Sequence, residues 1–298
     1  MSCENQHRFT EKDIPDLSGY VIIVTGGNSG IGFETTKQLA LRNARVYIAS
    51  RSEERVAKAI QEMEQSVGQK LDLHFLKIDL QDLKSVTDAA ARFMQQESRL
   101  DILINNAGIM MSPFSLTVDG FESQWQINAL APQIFSMALF PILMQTASDA
   151  NSRDRVRIIN VVSDLAFRGP KTIQLDDVNM SNAKGMMELM QRYSHSKQAG
   201  IRLAAEMNNR YGDFGISAYS LHPGIVRSNL QSSDPTIGAY NSLFCATSPM
   251  AAAVGRGKYF IPVGKLDPVA EPWINDKAHN EQLWNHCEAQ LLRVSKRT

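Results

Sequence analysis

The sequence predicts an α/β fold: a doubly wound parallel sheet of about seven strands flanked by helices. Three observations lead there. Short apolar, β-branched runs alternate with helical segments along the chain. The first such run opens directly into a glycine-rich turn and then a helix. No stretch of Gly, Ser or Pro composition divides the 298 residues into separate units. Strands that are apolar on both faces need helices above and below them, and parallel neighbours need crossovers long enough to hold those helices. Residues 1–18 read as an N-terminal arm. Residues 19–298 read as one domain that includes the loops and a C-terminal helix.

The elements follow in order. Residues 20–24 form a buried strand, and residues 31–42 a helix with Leu39, Ala40 and Leu41 in its apolar part. Residues 45–49 are a strand and 53–67 a helix. Residues 71–78 are a strand with imperfect alternation, 83–96 a helix and 100–104 a strand. Residues 121–146 contain a long apolar helix that begins near the Asp119-Gly120 turn. Residues 156–162 are the fifth strand. Between 167 and 183 the period is lost around Gly169-Pro170, which marks an excursion from the core on the substrate side. Residues 193–211 are a helix, 216–221 a strand, 239–254 a helical segment and 258–261 a short strand. A polar helix over 276–292 closes the chain.

Composition excludes several classes. Hydrophobic residues make up 43%, enough for a sizeable core. Lysine plus arginine balances aspartate plus glutamate at 31 each, so no net positive field draws nucleic acid or an anionic membrane surface. Cys3, Cys245 and Cys287 are odd in number and have no CxxC spacing. Neither a disulfide framework nor a metal centre is expected, and a reducing, cytoplasmic compartment fits. Residues 1–15 are polar, and no run of eighteen apolar residues occurs, so no signal region or integral membrane segment is expected.

The first chemistry-bearing segment is Thr25-Gly26-Gly27-Asn28-Ser29-Gly30-Ile31-Gly32. Gly26 permits a tight turn, Gly30 lets a ligand approach the backbone, and Gly32 lets helix and strand pack closely. Unpaired N–H groups at the helix start then face a pyrophosphate, with Asn28 and Ser29 beside it. This is a Rossmann-like dinucleotide site. A carboxylate after the second strand would bond a ribose diol and favour NAD, but none stands at 49–52. Arg51 instead offers its planar fork to a 2′-phosphate and Ser50 a hydroxyl, so NADP(H) is the expected cofactor. Asp79 and Leu80 follow the third strand, where Asp79 also suits the start of a turn. Asn105-Asn106-Ala107-Gly108 follows the fourth, and its small residues let the chain run close beside a cofactor.

Tyr193 and Lys197 stand four apart on a helix, which puts both side chains on one face. A tyrosine is a weak base until a neighbouring ammonium stabilises its phenolate, and such a pair can exchange a proton with a substrate oxygen. His195 is offset from that face and reads as an interface residue rather than a chemical one.

The segments TGGNSGIG at 25–32, NNAG at 105–108, YSHSK at 193–197 and Pro223-Gly224, in that order, resemble the short-chain dehydrogenase/reductase family over roughly residues 18–260. The resemblance implies a tetrad of Asn128, Ser163, Tyr193 and Lys197. Ser163, closing the fifth strand, would hold and polarise the substrate oxygen. Tyr193 would exchange its proton. Lys197 would contact the nicotinamide ribose and bias Tyr193, and Asn128 would hold a water linking Lys197 to solvent. Asp79 is placed beside the adenine with Leu80 nearby, and Asn105, Ala107 and Gly108 beside the cofactor, while Asn106 is free to stabilise the sheet. Pro223, Gly224, Ile225 and Val226 would pass the nicotinamide end, with Ile225 bonding the carboxamide through its backbone. Ser228 stands where many relatives have threonine and keeps the hydroxyl.

Residues 165–185 and 257–265 look like the retinol-dehydrogenase-like or WW-domain-oxidoreductase-like branch, and like fungal relatives from secondary metabolism. The implied activity is NADP(H)-dependent reduction of a ketone or aldehyde, or the reverse alcohol oxidation, on an apolar small molecule. Met110, Met111, Phe114, Leu165, Phe167 and Leu230 are the candidate walls of its cleft, and residues 232–244 a candidate lid. A homodimer or homotetramer through the helices at 128–144 and 193–211 is the family's expectation. The same scaffold also serves epimerases, dehydratases and cyclases, and cofactor-binding sensors or scaffolds; an intact tetrad favours redox chemistry among them.

Overall fold

The computed structural model describes residues 9–150, 154–183, 187–224 and 235–296. The expectations for Ile225, Val226, Ser228, Leu230 and the first part of the lid, 232–234, lie outside the described residues.

Eight strands form one sheet: β1 (Val21–Thr25), β2 (Arg45–Ser50), β3 (Leu73–Lys77), β4 (Ile102–Asn105), β5 (Val156–Val161), β6 (Ile216–Leu221), β7 (Tyr259–Ile261) and β8 (Lys265–Leu266). Their order is β3-β2-β1-β4-β5-β6-β7-β8. The first seven are parallel, and β8 pairs antiparallel with β7. β8 is the strand beyond the seven expected. The strand order reverses between β1 and β4, and in doubly wound sheets the carboxyl ends at such a switch point border the ligand crevice. β1, β4, β5 and β6 are buried along their whole length, as expected of central parallel strands covered on both faces.

Helices α1 (Gly30–Leu41), α2 (Glu53–Val67) and α3 (Leu83–Gln96) follow the first three strands. Polar caps fix the starts of two of them. Ser52 accepts the N–H of Arg55 at α2, and Asp82 accepts that of Lys84 at α3. Gly68, left-handed at φ 71°, ends α2.

The long helix expected over 121–146 is instead broken. A short turn α4 (Ser123–Trp125) passes through a wide π turn at Gln126–Leu130 into α5 (Ala131–Ala138), and α6 (Phe140–Ser148) leaves at 53°. Pro141 removes an N–H near the bend, and its ring crowds the preceding turn. No single described helix is long and apolar enough to cross a membrane. This bent pair has the length and composition together, but every residue of Ser123–Met137 is buried in the fold.

Helix α7 (Glu188–Tyr211) begins five residues earlier than expected. The helical segment expected over 239–254 is two helices, α8 (Pro235–Thr247) and α9 (Pro249–Val254). Ser248 ends the first before Pro249 and caps the second by accepting the Met250 N–H. A short α10 (Glu271–Ile274) precedes the C-terminal α11 (Lys277–Ser295).

α11 lies across α3, α5 and α7. Its Trp284 packs against Phe140 and Tyr211 at ring separations of 6.0 and 5.9 Å. Arg202 of α7, fully buried, donates to Asp276 (3.1 Å) and Asn280 (3.0 Å) at the start of α11. Every residue of α7 from Arg192 to Met207 is therefore buried within one chain. α11 thus covers part of both α5 and α7, the region of the two helices named in the family's oligomer expectation.

Candidate active site

The glycine turn is built as its residues require. Gly30 has φ +55°, and a Cβ there would project into open space above the start of α1. A Cβ on Gly32 would overlap the Gly26 carbonyl oxygen and the Asn106 side-chain amide, so helix and strand meet at van der Waals contact. Ser29 makes no side-chain cap bond, unlike Ser52 and Asp82, so no hydroxyl blocks the first-turn N–H groups of α1. Ser29 and Gly30 are exposed and Asn28 half-buried, while Ile31 packs against the core. An uncapped, twelve-residue helix with open space over its first glycine fits a pyrophosphate.

The neighbouring strand ends complete this wall. Thr25 Oγ1 accepts the N–H groups of Asn106 (2.9 Å) and Ala107 (3.0 Å), and the Asn106 amide donates back to the Thr25 carbonyl (2.9 Å). These bonds sew β1 to the end of β4. Asn105 turns its side chain into the core, donating to Ser136 (3.1 Å) and Asn160 (3.0 Å). Its backbone, with exposed Gly108 and half-buried Ala107, is what remains on the cleft side. Ser50 is half-buried at the end of β2. Arg51 is exposed beyond it, with no ion-pair partner among the described residues. Asp79 accepts the Gln81 N–H (3.0 Å) and so does begin a turn, while Leu80 is buried and its carbonyl accepts from Gln126. Pro223 and Gly224, half-buried, follow β6, and Gly224 has φ +97°.

The four tetrad positions are all ordered by the fold. Ser163, at the carboxyl end of β5, caps a short 3-10 turn, Asp164–Arg168, by accepting the Leu165 N–H at 3.2 Å. Tyr193 on α7 is buried, and Ser163 is the polar side chain that acts on its phenol. Burial raises the Tyr193 pKa, Ser163 pulls it down, and the Asp164 charge pushes it up. Lys197, one turn further, lies 5.9 Å from the Tyr193 ring centre. Its ammonium donates to the Val161 carbonyl (3.0 Å), and burial brings its pKa down to about 8. No hydrogen bond joins Lys197 to the phenol here, so burial rather than the lysine governs Tyr193.

Asn128 lies in the π turn. Its side chain accepts the Ile109 N–H (2.9 Å) and donates to the Ile109 carbonyl (2.9 Å) and to Ser196 Oγ (3.0 Å). Both N–H groups of that amide are used in tying the β4 loop to α7.

His195 stacks on Trp125 at 4.8 Å and accepts the Gln174 N–H at 2.9 Å through Nε2. His279 of α11 accepts the neighbouring Ile173 N–H at 3.1 Å. The excursion after β5 is thus pinned by two neutral imidazoles, and His195 has a structural task. Of the expected cleft walls, Met110, Met111 and Phe114 are exposed, and Phe114 lies under the Arg192 guanidinium at 4.8 Å. Leu165 is half-buried. Phe167 is instead packed between Trp273 (4.6 Å) and Tyr259 (5.5 Å), in an aromatic cluster that holds the excursion down.

Two further groups at the site carry no motif. Asp164 Oδ1 lies 3.3 Å from Ser163 Oγ, and His222 Nδ1 lies 3.7 Å from that same carboxylate oxygen. Their adjacency to Ser163 and Pro223 in the sequence was the available signal, but their pairing joins the ends of β5 and β6 and arises only in the fold.

A glycine-rich turn at the switch point, with Ser163 at the end of β5, Tyr193 on α7 and buried Lys197 one turn further on, is the arrangement of a dinucleotide-binding α/β protein. The chain belongs to the short-chain dehydrogenase family, whose model matches residues 20–174. It is 36% identical to an uncharacterized oxidoreductase of Schizosaccharomyces pombe, over 93% of this chain and 85% of that one. It is 32% identical to retinol dehydrogenase 12 of Mus musculus, over 91% of this chain and 86% of the relative. Among solved structures, an uncharacterized protein of Mycobacterium paratuberculosis superposes with a TM-score of 0.77 at 30% identity, covering 96% of this chain and 98% of that one. Both the family and its fungal and retinol-dehydrogenase-like likeness are as the motifs indicated.

Proposed function

We propose that this chain is an NADP(H)-dependent dehydrogenase/reductase that interconverts a ketone or aldehyde with its alcohol on an apolar small molecule. The observation that carries the reading is the Ser163–Tyr193 hydroxyl pair, seated at the end of β5 beside the glycine turn. The first turn of α1, with Gly26, Asn28, Ser29, Gly30 and Gly32, would hold the pyrophosphate. Arg51 and Ser50 would meet the 2′-phosphate, and the unpaired, exposed guanidinium supports NADP(H) over NAD. When bound, the nicotinamide supplies or accepts the hydride.

The chain's own groups supply the rest. Ser163 donates to the substrate oxygen and holds it beside Tyr193. The burial that keeps the phenol protonated makes Tyr193 the acid in the reduction direction and, after proton loss, the base in the other. Lys197 donates to the Val161 carbonyl and has its pKa lowered by burial to about 8, so it is able to leave that carbonyl for a ribose hydroxyl and to pass a proton on. Asn128 keeps the loop bearing Gly108 against α7. The exposed Met110, Met111 and Phe114 support an apolar substrate.

The test is Tyr193→Phe, followed by NADPH oxidation on a panel of carbonyl compounds with product detection by mass. Cofactor binding should persist while turnover falls at least about 100-fold. Turnover within a few-fold of the parent chain would remove Tyr193 from the proton transfer.

A further inference from the structure

Asp164 and His222 flank Ser163 and have no part in the chemistry above. Asp164 is exposed, with its Oδ1 3.3 Å from Ser163 Oγ and 3.7 Å from His222 Nδ1. That imidazole nitrogen is buried without a hydrogen-bond partner among the described residues, where Asp164 is the charge that acts on the ring. The carboxylate therefore stands between two groups that can each donate to it, and solvent on its outer side leaves it free to turn.

Ser163 has a single proton. The Leu165 N–H already occupies one side of its oxygen. The hydroxyl can donate to the Asp164 carboxylate, or to the oxygen of Tyr193 or of a substrate, but not to both at once. A carboxylate is the stronger acceptor than a neutral carbonyl. While Asp164 holds that proton, Ser163 is turned away from its substrate. When His222 donates through Nδ1 to Asp164, the carboxylate becomes a weaker acceptor, and Ser163 turns more readily toward Tyr193.

We propose that Asp164 is a positioning residue that sets the direction of the Ser163 hydroxyl, and that His222 weakens the carboxylate's hold on it. This rests on Ser163 and Tyr193 being the reacting pair. The titratable groups that feel the carboxylate's charge among the described residues are Tyr193 from α7, His222 just after β6 and Tyr259 from β7. Lys197 faces the Val161 carbonyl. The Asp164 charge also raises the Tyr193 pKa, in keeping with this arrangement.

The test is a phenolate titration of the full-length chain by ultraviolet absorbance, with each background read against its own Tyr193→Phe counterpart. Asp164→Asn should lower the apparent Tyr193 pKa by about 0.5 unit or more, because a negative neighbour is gone. His222→Phe should raise it, because Asp164 then keeps the Ser163 proton. In the Asp164→Asn background His222→Phe should have no further effect. An unmoved titration in Asp164→Asn, or a His222→Phe effect of equal size in both backgrounds, overturns the proposal. Loss of a helix-turn contact alone would lower Tm without moving the phenolate. The readout needs no substrate. A chain that titrates as expected but reduces no carbonyl separates this inference from the proposed function, and the converse does so equally.

Discussion

Acidification should unfold this protein partly through one buried ring. His195 accepts the Gln174 N–H through Nε2 and lies flat on Trp125, and burial pushes its pKa down to about 4 from 6.5. Below 6.5 the unfolded chain takes up a proton there while the folded chain does not. The ring's contribution is therefore complete above pH 6.5 and is lost as pH falls toward 4. At about 1.36 kcal/mol per pH unit the whole span amounts to about 3 kcal/mol, of which about 2 kcal/mol is lost by pH 5. His195→Gln keeps an acceptor for the N–H but does not titrate. It should cost about 1 kcal/mol at every pH through the lost stacking. Urea unfolding at pH 7.5 and pH 5 checks the difference. The parent chain should lose about 2 kcal/mol more than the variant between the two pH values. His222, His279 and His286 are also held low by burial, and their contribution cancels because both chains retain them. Equal losses in the two chains would refute the account of the pinned excursion.

Two other substitutions probe the cofactor wall. Arg51→Ala should weaken NADPH binding about tenfold or more while leaving NADH nearly unchanged, measured by nucleotide fluorescence; equal losses would remove the 2′-phosphate contact. Gly32→Ala forces a methyl against the Gly26 carbonyl and the Asn106 amide, and should lower stability by about 1–3 kcal/mol in urea unfolding as well as impair dinucleotide binding. An unchanged midpoint would mean that α1 and β1 are less closely packed than described.

Much of this architecture was readable beforehand because local chemistry and burial agreed. α2 and α3 fall on their expected residues, since each has a polar cap, a clear apolar stripe and an evident end. The region 121–146 was misread for the opposite reason. Residues 122–137 are buried on all sides, so that stretch carries no helical stripe, and Pro132 and Pro141 are the marks near its breaks. β8 has two residues, too few to show alternation. At the site, the glycine turn, Ser163, Tyr193 and Lys197 were legible because each sits in a dense motif on a predictable element. Asn128 was legible as a position, but its bonds to Ile109 and Ser196 were not, since they join segments far apart in sequence. Asp164 and His222 meet for a similar reason: the ends of β5 and β6 are neighbours in the sheet, not in the chain. Phe167 looked like a cleft residue because aromatic character alone does not distinguish a ligand wall from a ring stack.

The two-residue β8 has a consequence for how this molecule meets copies of itself. An open β7 would offer a row of unpaired backbone groups on which another sheet could grow. β8 folds back across that row and ends in exposed Lys265 and Leu266. At the far margin β3 is guarded by charge, with Asp72 bonded to both Arg45 and His74 and Lys77 exposed. Both margins of the sheet are thus poor templates for strand addition. During folding at high concentration, that protects the chain from running its sheet into a neighbour's, and it confines specific self-association to side-chain surfaces rather than shared backbone ladders.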